Sequence, residues 1–81
     1  MKTVVGWSDA QNVIETVAQE FGLAVFRLEI REFKHGGKPG SPRGVVLSVD
    51  RTERPRVANY FRGFNASDVA KDVVRWLESV R

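Results

Sequence analysis

Two stretches of alternating side chains, separated by a turn rich in glycine and proline, restrict this chain more than any other feature. In the first, Phe26, Leu28 and Ile30 alternate with Arg27, Glu29 and Arg31. In the second, Val45, Leu47 and Val49 fall on one side, with Ser48 and Asp50 on the other. Successive side chains of a strand point to opposite faces, so a period of two with one polar side specifies a half-buried antiparallel strand. The connecting run is Lys34, His35, Gly36, Gly37, Lys38, Pro39, Gly40, Ser41, Pro42 and Arg43, which is longer than a tight hairpin needs. Residues 23–52 are therefore expected to form a β-hairpin. Phe26, Leu28, Ile30, Val45, Leu47 and Val49 would form its inner face.

The flanking sequence supplies cover for that face. Ala10, Val13, Ile14, Val17, Ala18 and Phe21 recur at helical spacing and define one apolar side of a first helix. Ser8 followed by Gln11 fits a capping box at its start. Gly22 stands where a left-handed residue would end it. Residues 51–55 read as a turn and residues 56–64 as a third strand, in which Val57 and Phe61 compete with Ala58 and Tyr60 for the inner side. Asn65 or Ser67 is expected to cap a last helix, lined by Ala66, Val69, Ala70, Val73, Trp76, Leu77 and Val80. Residues 2–6 read either as a short extra N-terminal strand or as a lead-in. The expected fold is a single α+β domain over residues 1–81. It has a three-stranded antiparallel sheet with two helices packed on one face, in the order α-β-β-β-α. A chain of 81 residues buries one modest core, and two layers suffice for that.

The charge is uneven. Residues 23–56 carry eight basic and four acidic side chains, whereas residues 1–22 carry one basic against three acidic. Positive charge centred on the hairpin suits a nucleic-acid or acidic-protein partner. No run approaches the ~18 apolar residues of a membrane span, so no membrane partner is expected and a cytoplasmic location is the default. Without cysteine there are neither disulfides nor thiolate metal sites. His35 is the sole histidine, too few for a zinc or transition-metal site. No motif arranges a nucleophile, base or phosphate loop, so no enzyme activity and no cofactor are expected.

Two surfaces remain as candidate sites. One is the basic turn, with Lys34, His35, Lys38 and Arg43, joined by Lys71 and Arg75 one turn apart on the last helix. Flexible basic loops follow phosphates with charge and backbone amides. The other is the outer sheet face around Arg27, Arg31 and Tyr60, suited to a protein partner, self-association or inhibition of another macromolecule. On that face Tyr60 or Phe61 would supply a single outward ring, fewer than the platforms that stack single-stranded bases use.

The order helix, strand, long basic turn, strand, turn, strand, helix resembles the double-stranded RNA-binding domain over nearly the whole chain. The resemblance implies duplex RNA, or duplex DNA, as the partner. In that family the first helix and the first strand–strand turn enter successive minor grooves, and lysines at the start of the last helix grip the phosphates between them. By that resemblance the contacts would fall near Asn12, Thr16 and Gln19, on the turn at residues 34–43, and on residues 67–71. There Ala70 and Lys71 match the lysine-rich signature, while Ser67 and Asp68 stand in place of two of its lysines.

Overall fold

The computed structural model describes residues 4, 6–32 and 42–81. Its elements are α1 (Trp7–Glu20), β1 (Ala24–Glu32), β2 (Arg43–Arg51), β3 (Arg54–Gly63) and α2 (Ala66–Val80). The strands form one antiparallel sheet in the order β1-β2-β3. Both helices lie on one face of it, giving the expected α+β architecture. The possible strand at residues 2–6 and the connection with Lys34, His35 and Lys38 lie outside the described residues, apart from Val4 and Gly6.

The core follows the alternation. Val45, Leu47 and Val49 of β2 are wholly buried, and Ile14, Ala18, Val69, Val73 and Leu77 of the helices close over them. Leu28, Ile30, Val57 and Phe61 pack around this centre from the outer strands. Thus Val57 and Phe61 take the inner side of β3, and Tyr60 faces out. Phe61 meets Trp76 edge-on, with ring centroids 5.7 Å apart. A second cluster, Ala10, Ala66 and Ala70, brings the N-terminal ends of the two helices together beneath Val4 and Trp7. At the other end Arg81 of the α2 terminus lies over the Phe21 ring. The helices therefore run parallel.

The helix ends show which local signals prevailed. Gly22 adopts φ 73°, its N–H donates to Gln19 O, and Leu23 N–H donates to Ala18 O. This Schellman arrangement satisfies the last carbonyls of α1. Asn65 caps α2, its Oδ1 accepting from Ser67 N–H at 2.8 Å. The cap of α1 differs from expectation. Gly6, not Ser8, is the N-cap, and Asp9 Oδ2 accepts from Gly6 N–H at 3.2 Å. Trp7 becomes the first helical residue, which lets its indole reach the core edge.

Three further expectations are corrected. Phe26 is not an inner residue. A β-bulge between Val25 and Arg27 shifts the side-chain parity, so Val25 pairs with Val49 and turns inward while Phe26 is 59% exposed. An extra residue in one strand does this to every residue before it. The β2–β3 turn is shorter than residues 51–55. Arg51 pairs with Arg54, leaving Thr52 and Glu53 as the loop, with Glu53 at φ 57°. Pro55 belongs to β3, where an edge strand tolerates its missing N–H. Arg43 is a strand residue of β2, not part of a loop.

Candidate nucleic-acid interface

The outer face of the sheet is open, because both helices occupy the other side. Its residues fall in rows across the strands. Arg31 lies opposite Gly44, and Gly44 opposite Arg62. Glu29, Val46 and Tyr60 form the next row, and Arg27, Ser48 and Ala58 the third. Asp50 and Arg56 close the face at the end nearest the Thr52–Glu53 turn. Four arginines thus share this face with two carboxylates.

Both carboxylates are engaged by those arginines. Glu29 Oε2 accepts from Arg27 Nη2 at 2.8 Å, and from Arg31 Nη2 at 2.9 Å and Nε at 3.1 Å. Hydrogen bonds from Arg27 first, then Arg31, hold the Glu29 carboxyl below the usual carboxylate range. The pairs are exposed and well screened, so they orient the guanidinium groups more than they stabilise the fold. Asp50 accepts from Arg56 through both oxygens, at 2.5 and 3.4 Å.

Two rings lie on this polar floor. The Arg56 guanidinium stacks 3.4 Å from the centroid of the Phe26 ring, a cation–π contact that spans the face from β1 to β3. Tyr60, 48% exposed, sits directly over Gly44. A Cβ at residue 44 would come within 2.6 Å of its Cζ. Glycine at this position therefore lets the phenol ring settle on the backbone of β2.

The other expected site residues lie elsewhere. Arg43 is on the helix side of the sheet, where Nη2 pairs with Glu32 Oε1 at 2.7 Å and the guanidinium lies 5.7 Å from the Trp7 ring. Lys71 and Arg75 are exposed on α2, with Asp68 and Asp72 on the same exposed side. Neither makes an ion pair among the described residues. The structure therefore separates Arg27, Arg31 and Tyr60 from Arg43, Lys71 and Arg75 by the thickness of the sheet. Lys34, His35 and Lys38 fall outside the described residues. Asn12 and Thr16 line a shallow groove of about 370 Å³ between the helices, floored by Val13, Val17 and Val74. Arg51, the last residue of β2, is structural. It donates to Pro55 O and to Val80 O, tying the turn to the C-terminal end of α2.

Phe26 and Arg56 lie on this outer face without having been expected there. The signal was in the sequence: residues 23–26 are four apolar residues in a row, and alternation begins only afterwards. Such a break is where a bulge is accommodated. Among the described residues, no group of three or more His, Asp or Glu is placed to hold a metal ion. No helix among them is long and apolar enough to cross a membrane. Compared with models of known protein families, with curated proteins and with solved structures, the chain gave no significant match in any of the three.

Proposed function

We propose that this chain is a non-enzymatic nucleic-acid-binding protein whose docking surface is the open sheet face. The observation that carries this is the composition of that face: four arginines, two carboxylates that those arginines already engage, and two exposed rings. Cations in excess of anions on a flat surface attract a polyanion. Guanidinium groups suit phosphate because their donors match its oxygens in pairs. The likeness to the double-stranded RNA-binding domain supports a nucleic-acid partner through element order alone. Lys34 and Lys38, in the connection from β1 to β2 with His35, add charge to the hairpin. Arg43, Lys71 and Arg75 serve the helix side and are secondary here.

The test is an anisotropy titration of labelled DNA and RNA, single-stranded and duplex, at two salt concentrations. Binding is expected at about 50 mM salt and should fall steeply towards about 200 mM, because phosphate contacts release counterions. Absence of binding to every probe at the lower salt overturns the proposal.

A protein partner is the second reading, favoured by one feature. Tyr60 and the arginines are the residue types that dominate protein interfaces, and Glu29 holds two of those arginines in place. Self-association through this face would raise the scattering mass with concentration in the absence of nucleic acid.

A further inference from the structure

Resting on the nucleic-acid reading above, we infer that the open face takes single-stranded nucleic acid, with Tyr60 as the ring on which an unpaired base stacks. The Tyr60 ring has Gly44 beneath it, where no side chain separates ring from backbone. Tyr60 is 48% exposed on the open side of the sheet, where a base can reach its ring. An exposed aromatic ring held on a sheet is what an unpaired base needs, and any base can use it.

Phe26 supplies a second surface of the same kind. Arg56 covers one side of its ring at 3.4 Å and is itself held by Asp50. Ring and guanidinium plane are both stacking surfaces for bases. The floor between the rings is Val46 and Ser48, small enough to let a strand pass.

Geometry separates single strand from duplex. Phe26 falls between the rows of Ser48 and Val49, two to three residues from the row of Val46 and Tyr60, which is about 8 Å along the strand. Phe26 and Tyr60 are also two strands apart, about 10 Å across the sheet. Bases in a duplex are stacked about 3.4 Å apart with their faces covered by neighbours, so a duplex offers neither ring a partner. It would meet the arginines alone. An unpaired strand splays its bases to reach both rings and leaves its phosphates near Arg27, Arg31 and Arg62.

The experiment compares oligothymidylate and oligouridylate of about 15 nucleotides with a blunt duplex of equal length. The protein variants are wild type, Tyr60→Ala, Tyr60→Phe and Gly44→Ala. Wild type should bind single strands about tenfold more tightly than duplex, and Tyr60→Ala should lose about tenfold for single strands and little for duplex. Tyr60→Phe should bind as wild type does. Gly44→Ala should resemble Tyr60→Ala although the tyrosine is still present, because the added methyl group lifts its ring. Circular dichroism confirms folding, and Tyr60→Ala, at an exposed position, carries the test should Gly44→Ala fail to fold. Equal affinity for single strand and duplex, or unchanged single-strand binding by Tyr60→Ala, overturns this inference and leaves the broader function standing. Absence of binding to every probe removes both.

Discussion

The two faces of the sheet are made from the same three strands, yet they answer to different constraints. On the helix side Val45, Leu47 and Val49 are wholly buried, and any aliphatic set of matching volume would fold. On the open side Arg27, Glu29, Arg31, Asp50, Arg56 and Tyr60, with Phe26 and Gly44, form a hydrogen-bonded and stacked surface on the side of the sheet away from the helices. Core formation does not require that surface. Burial explains the first face; the proposed nucleic-acid partner would account for the arginines and rings on the second.

The contrast breaks most readily at its centre. Leu47→Ala should destabilise the fold by about 2–5 kcal/mol in urea unfolding, while Arg31→Ala, across the sheet, should stay within about 0.5 kcal/mol. Comparable losses would mean that the open face also supports the fold. Next in size is binding. Arg27→Ala with Arg31→Ala should weaken single-strand affinity about tenfold and reduce the salt slope by about 1.4, two contacts at about 0.7 each. Lys71→Ala with Arg75→Ala should do less. The reverse ranking would move the site to the helix side.

Both faces were legible to different degrees. The inner face of β2, the apolar side of α1 and the Gly22 stop each follow from a local rule that nothing in the tertiary structure opposed, and of the two candidate caps of α2 the structure uses Asn65. The outward direction of Arg27 and Arg31 follows from regular alternation, whereas the choice between Tyr60 and Phe61 is open in the sequence and is made by the pairing of Val45 with Phe61. The open face was misread at Phe26, because parity counted back from Ile30 does not survive an extra residue. Ser8 matched a capping pattern, but the carboxylate of Asp9 reaches the Gly6 amide and starts the helix one residue before it. Glu53 gave no turn signal, since glutamate is an uncommon choice for a left-handed φ. Arg43 looked like a loop cation because Pro42 and the glycines precede it. Pairing with Glu32 and the Trp7 ring makes it part of the sheet end.

Smaller, but specific to the open face, is the effect of Glu29. Glu29→Gln removes the charge that holds Arg27 and Arg31, so single-strand binding should tighten severalfold at low salt and its salt slope should steepen. Unchanged affinity would show that the two arginines lie outside the contact. The same carboxyl links the face to pH. Held below its usual range in the folded state, it stabilises the fold above the ordinary carboxylate value, and that contribution is lost as pH falls through the lowered one. Glu29→Gln should therefore lower stability slightly in the neutral region of a profile measured by urea unfolding, make the acid limb shallower, and leave the acid extreme unchanged.

The most direct test of the open face as the docking surface is an amide chemical-shift map of the labelled protein titrated with a short oligothymidylate. Perturbations should concentrate on Arg27, Arg31, Gly44, Val46, Tyr60 and Arg62, and spare the exposed side of α2 around Lys71 and Arg75. A map confined to the two helices would contradict it.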